Sequence, residues 1–133
     1  MKVALDTNVL ASAIGTRGLC ADVLRLVLLE HELVVGERVL DELRRNLAKK
    51  FRLPADLITA NEALLRAQAR VSAEAVTVDI AGLDAADAHV VGEALAAEAD
   101  VFVTGDLGLQ GLGKHAPLPI LSPRQFFITE AAA

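Results

Sequence analysis

Two hydrophobic patterns alternate along the chain. Short, nearly solid apolar runs end in polar stops at 2–6 (KVALD), 32–36 (ELVVG), 76–80 (VTVDI), 101–104 (VFVT) and 118–121 (LPIL). Runs of that length, flanked by polar residues, read as buried strands of a parallel sheet. Between them, apolar residues recur at helical spacing. Leu19, Val23, Leu26, Val27 and Glu30 line one side of a helical pattern that includes 22–31. Over 37–51, Val39, Leu40, Leu43 and Leu47 face one way and Arg44, Arg45, Lys49 and Lys50 the other. Pro54 stands where a first helical turn tolerates it, ahead of an amphipathic helix over 55–70. The Ala-rich stretch 84–98 predicts another helix and the tail 123–128 a last short one.

Strands alternating with helices predict an α/β fold, a sandwich about a central, mostly parallel five-stranded sheet. No internal repeat, low-complexity linker or shift in composition divides the sequence, so 1–133 is expected to form one domain. Such sheets bind ligands at the carboxyl ends of their strands, near the point where strand order reverses. Polar residues just after strands, or in the first turns of the following helices, are therefore the ones to weigh for chemistry.

Composition narrows the possibilities. Hydrophobic residues make up 53% of the chain and charged residues 23%, a balance that suits a soluble globule. With four Phe and no Trp or Tyr, base stacking on aromatic platforms is disfavoured as a way of holding nucleic acid. A lone Cys20 excludes an intramolecular disulfide and fits a reducing setting. No signal peptide is visible, and no apolar run approaches the ~20 residues that span a bilayer. The expectation is a cytoplasmic protein with no membrane partner. The net charge of −5 is unevenly spread: residues 1–70 carry 11 Lys and Arg against 9 Asp and Glu, residues 71–133 carry 2 against 9. This is either two differently solvated surfaces or a carboxylate pocket bordered by a cationic strip.

Four strand–helix junctions carry acids. Asp6 follows the first run, within Asp6-Thr7-Asn8; Glu42 lies just over one turn into the helix after the second; Asp84 and Asp87 open the 84–98 helix; Asp106 follows the fourth run in VTGDLG. Each has an ordinary local explanation as a cap, an Asx turn or a helix-dipole partner. Glu42 is the exception, since a carboxylate beside Val39 and Leu43 needs a partner. Taken together, the acids fall at one rim of the sheet. Two such charges ~4 Å apart repel by about 4 kcal/mol at an effective dielectric of 20, so a convergent group calls for a proton or a cation. With one Cys and three His in the whole chain, thiolate or imidazole zinc sites have little support. Hard oxygen donors suit Mg²⁺ or Mn²⁺, as one or two ions, and beside a basic strip that arrangement can hydrolyse phosphodiesters. Arg17, Arg44, Arg45, Lys49, Lys50, Arg52 and Lys114 are the candidates for phosphate contact. His89 lies close enough to the acids to be weighed with them.

These motifs resemble the PIN-domain ribonucleases, in particular the toxin–antitoxin toxins of the VapC group. The resemblance runs nearly end to end, through VALDTNVLASAI, ELVVGERVLDELRRNL, DAADAHVVGEALAAEADVFVTGDLGL and ILSPRQFF. It implies a three-layer α/β/α sandwich, Mg²⁺- or Mn²⁺-dependent endonucleolytic cleavage of RNA, homodimers, and a small antitoxin as partner. By the same resemblance, Asp6, Glu42, Asp87 and Asp106 are the metal-binding and catalytic acids, with Asn8 and Thr104 in support. Two positions depart from the pattern. Gly36 stands where relatives often have Ser or Thr, and only Asp84 and Asp87 represent an acidic cluster that relatives often extend, so the third acid can be either or shared. Two other readings start from the same residues. A phosphoaspartyl receiver or phosphatase also puts Asp after its first strand, but Asn8 stands where the phosphatase pattern wants a second Asp, and Lys114 falls in a loop. A non-catalytic PIN-fold module would keep the fold and bind only RNA or a protein.

Overall fold

The computed structural model describes residues 1–131. Its centre is β1 (Lys2–Leu5), whose Val3, Ala4 and Leu5 are all buried. On one side β1 pairs with β2 (Glu32–Gly36) and β2 with β3 (Ala69–Ser72); on the other β1 pairs with β4 (Val101–Val103) and β4 with β5 (Ile120–Leu121). The order β3-β2-β1-β4-β5 is parallel throughout, where the sequence pattern indicated a mostly parallel sheet. β1, β2 and β4 are apolar along nearly their whole length because helices cover both faces of the sheet.

The direction of travel along the sheet decides the layers. From β1 to β2 the chain passes through α1 (Thr7–Gly15) and α2 (Leu19–Glu30), and from β2 to β3 through α3 (Glu37–Lys49) and α4 (Ala55–Gln68). From β3 it returns across the sheet through α5 (Ala85–Ala96) to β4, then through α6 (Leu107–Gln110) to β5. Right-handed crossovers made in opposite directions put their helices on opposite faces. Accordingly α1 packs on α2 and α3, and α3 on α4, while α5 packs against β2 and β3 from the other side. The closing α7 (Pro123–Ala131) returns to α2, with Phe126 fully buried. The result is a three-layer α/β/α sandwich. Among the described residues no helix is long and apolar enough to cross a membrane.

The predicted faces hold where the period was clear. Val39, Leu40, Leu43 and Leu47 are buried on α3, and Arg44, Arg45, Lys49 and Lys50 are exposed. The third strand differs. It is Ala69–Ser72 and not 76–80, because α4 runs antiparallel to the strands and ends where they begin, so the chain enters the sheet at once. By residue 76 it has passed the far rim and lies over α5 without a sheet partner, the Val76 N–H donating to the Gly92 carbonyl at 2.9 Å. Gly92 makes this crossing possible, since a Cβ there would overlap the Val76 carbonyl oxygen. α1 begins at Thr7, directly behind β1, so the polar triplet opens a helix with Asp6 as its cap.

Candidate functional site

The strand order reverses between β1 and β4, and the Asp6 N–H seals that junction by donating to the Val103 carbonyl at 2.9 Å. Both strands therefore deliver their next residues into one crevice. Asp6 is the N-cap of α1: its Oδ1 accepts from the Thr7 N–H at 2.8 Å. Its Oδ2 accepts from the Thr104 hydroxyl at 2.7 Å. The capping reading and the functional-site reading of Asp6 thus use different oxygens of one carboxylate. Burial pushes the Asp6 carboxyl up, the two hydrogen bonds pull it down, and the charges of Glu42 and Asp106 push it up again.

Thr104, fully buried, joins the two strand ends. While its hydroxyl donates to Asp6, it accepts from the Asp106 N–H at 3.0 Å. Asp106 caps the short α6, its Oδ1 accepting from the Leu109 N–H at 3.0 Å. Asn8 supports the same loop from α1, its Oδ1 accepting from the Gly105 N–H at 3.2 Å.

Glu42 reaches the crevice from α3. Its Oε2 accepts from the Thr7 hydroxyl at 2.9 Å, and its Oε1 faces the Arg38 Nε at 3.3 Å, one turn earlier on the same helix. Thr7 is buried, so it is a supporting residue of this site in addition to the first residue of a helix. From sequence alone a Thr in this triplet reads as turn chemistry; only a long-range contact distinguishes the two. Arg38 was also missed, as one more Arg on a polar helix face.

On α5, Asp84 is the N-cap, its Oδ1 accepting from the Ala86 N–H at 2.7 Å. Asp87, three residues on, has no hydrogen-bond donor on its carboxylate among the described residues. Burial raises its pKa, and the charges of Asp106, Asp84, Asp6 and Glu42 raise it further with nothing offsetting them. The Asp87 carboxyl thus feels Asp84 of its own helix start and one acid from each of the three other junctions. Asp84, Asp87 and Asp106 also line a cleft of about 210 Å³ with Leu83, Leu109 and Leu112.

The donor set fits a hard divalent cation in kind, being all carboxylate with no His or Cys among the convergent groups. It is not in coordinating array as it stands. Among the described residues no three His, Cys, Asp or Glu side chains are arranged to hold a metal ion. Part of the reason is visible: Arg38 and Thr7 occupy the oxygens of Glu42, and Thr7 and Thr104 those of Asp6.

The departure at Gly36 has a structural counterpart. Gly36 caps α3 without a side chain, and the carboxylate of Glu93, buried on α5, fills the place instead. Both of its oxygens lie 3.2 Å from the Arg38 N–H, and a Cβ on Gly36 would overlap its Oε1. His89 lies one turn before Glu93 and faces it, Nε2 to Oε2 at 3.9 Å.

The basic residues are less concentrated at the acids than their place in the sequence suggested. Arg44 is engaged by Asp41 and Glu62. Lys49 is seven residues beyond Glu42 along α3, about 10 Å by the helical rise. At that end, Phe51 packs so closely on Gly15 that a Cβ there would strike its ring, which brings the exposed Arg17, Lys50 and Arg52 into the same neighbourhood. Arg45 is exposed on α3, and Lys114 lies in the single 3₁₀ turn Gly113–His115.

Known proteins bear on this geometry. No curated protein matches the chain in sequence. Among solved structures it is similar to a chain of VapBC2 from Rickettsia felis, in a crystal structure bound to a DNA fragment from their promoter, with 17% identity and a TM-score of 0.61, covering 92% of this chain and 98% of that one. It is similar to a chain of FitAcB from Neisseria gonorrhoeae, with 18% identity and a TM-score of 0.60 over 92% and 98%. A PilT N-terminus domain protein from the hyperthermophilic archaeon Sulfolobus solfataricus matches at 9% identity and a TM-score of 0.58 over 97% and 92%. At these identities the likeness is one of fold. The sequence itself matches the PIN domain over residues 2–108, most of its length and all four acid-bearing junctions. The chain belongs to the PIN domain family.

Proposed function

We propose that this chain is a metal-dependent endoribonuclease and the toxin component of a toxin–antitoxin pair. The observation that carries the reading is the meeting of acid-bearing junctions at the switch point, where Thr104 joins Asp6 to the Asp106 backbone and Thr7 joins Asp6 to Glu42, while burial and then the charges of Asp106, Asp84, Asp6 and Glu42 raise the Asp87 carboxyl. Such a group is unfavourable alone and favourable around a divalent cation. Membership in the PIN domain family and similarity in fold to a VapBC2 chain support the same assignment.

In this reading Asp6, Asp87 and Asp106 hold Mg²⁺ or Mn²⁺, while Glu42 holds a second ion or orients the attacking water. When bound, the cation stabilises charge on the phosphoryl oxygens and makes water nucleophilic at neutral pH. The protein's own contribution is orientation. Thr104 fixes the Asp6 carboxylate and the Asp106 backbone with one hydroxyl, and Thr7 fixes Glu42. Arg38, next to Glu42, is the cation nearest this acid and would exchange its carboxylate contact for a phosphate oxygen as the site loads. Arg17, Lys49, Lys50 and Arg52 lie at or beyond the far ends of α1 and α3, and in this reading they contact flanking phosphates of a single-stranded RNA. A small antitoxin and a second copy of the chain are the protein partners this reading entails.

The test is cleavage. Wild type should cut single-stranded RNA only with Mg²⁺ or Mn²⁺ present, and Asp6→Asn should abolish cutting while the far-UV circular dichroism stays unchanged. Undiminished cleavage by that variant contradicts the assignment.

A further inference from the structure

Glu93 has no part in the site as described, yet it is a fully buried carboxylate, and burying one without partners is costly. Its surroundings show what it does. Gly36 leaves the first turn of α3 without the side-chain acceptor that an N-cap residue normally supplies to the second or third N–H of a helix. Arg38 is that second helical residue, and the oxygens on its N–H are those of Glu93, from a helix 55 residues further along the chain. The fit is mutual, since only a residue without a Cβ at 36 leaves the carboxylate room. The Arg38 so held by its backbone is the residue whose side chain pairs with Glu42.

The geometry points to Glu93 as a positioning residue: from α5, the helix of Asp84 and Asp87, it caps α3, the helix of Glu42, and so sets the two acid-bearing helices against each other. What Glu42 then does rests on the nuclease reading above; the cap itself does not.

Four full-length variants test this: Glu93→Ala, Glu93→Gln, Gly36→Ser, and Gly36→Ser with Glu93→Ala. Two measurements are made on each: amide hydrogen exchange across 36–43, and the rise of the thermal midpoint with Mn²⁺. Glu93→Gln keeps an acceptor oxygen and should behave as wild type. Glu93→Ala should speed exchange at Arg38 and require roughly tenfold more Mn²⁺ for the same rise, the size typical of losing a group that orients a ligand. Gly36→Ser alone should be harmful, because its Cβ displaces the carboxylate. Combined with Glu93→Ala it should recover both measurements, since a serine hydroxyl can then cap α3 locally. Should Glu93→Ala not fold, the double variant decides: folded with wild-type exchange it supports the proposal, unfolded it overturns it. Unchanged exchange in Glu93→Ala, or a Gly36→Ser defect as severe without Glu93 as with it, also overturns it. A wild type that exchanges as expected but does not respond to Mn²⁺ contradicts the nuclease reading and leaves the cap standing.

Discussion

The Thr104 hydroxyl donates to Asp6 Oδ2 at 2.7 Å and accepts from the Asp106 N–H at 3.0 Å, so one side chain links the ends of the two central strands. A buried hydroxyl that serves two partners is costly to remove, because each is left unsatisfied. Thr104→Val, nearly the same shape, is expected to cost about 1–3 kcal/mol of stability and to lower cleavage roughly 10- to 100-fold. Thr104→Ser should retain most of both. Denaturant unfolding and RNA cleavage measured on the same preparations check this.

The Thr7 hydroxyl makes a single contact with the site, to Glu42 Oε2, and Arg38 still holds the other oxygen. Thr7→Val should therefore cost about 1 kcal/mol and reduce cleavage less than Thr104→Val does. A larger loss from Thr7→Val would mean that Glu42, and not Asp6, is the acid most dependent on its orientation.

Asp87 has a raised carboxyl, through burial and then through Asp106, Asp84, Asp6 and Glu42. A raised carboxyl contributes stability below its unfolded pKa and loses it as pH rises through the folded value. With metal chelated at neutral pH, ionised Asp87 is then a destabilising group. Asp87→Asn should raise the thermal midpoint there by the equivalent of a few tenths of a kcal/mol, the scale of partly exposed charge contacts. The gain should disappear as acidification protonates wild-type Asp87, and the same variant should respond less to Mn²⁺.

Glu37 titrates with the opposite sign. The Arg66 guanidinium, bidentate at 2.7 and 2.8 Å, holds its carboxyl below the usual range and ties α4 to the start of α3. A lowered carboxyl contributes stability above its unfolded pKa and loses it as pH falls through the folded value. Arg66→Ala should cause a small loss of stability at neutral pH that fades in acid and in high salt, as exposed pairs do. A loss independent of pH and salt would assign Arg66 a packing role instead.

The parts of this molecule legible in its sequence are those with local causes. β1, β2 and β4 are solid apolar runs because both faces of the sheet are covered, and the buried face of α3 follows from its period. β3 lacked a signal, since ARVS carries one β-branched residue and continues straight from α4. The more regular VTVDI offered a false strand that lies over α5 without pairing. Acids at strand ends were legible because a parallel sheet puts its site there. Their supports were not. Glu93 looks like any charge on an Ala-rich helix until Gly36 and Arg38 are seen beside it, and Thr7 looks like a turn until Glu42 is found against it. Lys49, Lys50 and Arg52 are close to Glu42 in sequence, but α3 carries them away from the rim.

In the nuclease reading Asp6, Asp87 and Asp106 bind the divalent cation. The decisive measurement is calorimetric titration of Mn²⁺ into the wild type and into Asp6→Asn, with both shown to be equally folded. The wild type should bind one or two ions saturably, and the variant should lose that binding. A wild type that binds no Mn²⁺, or a variant that binds it equally well, would contradict that reading.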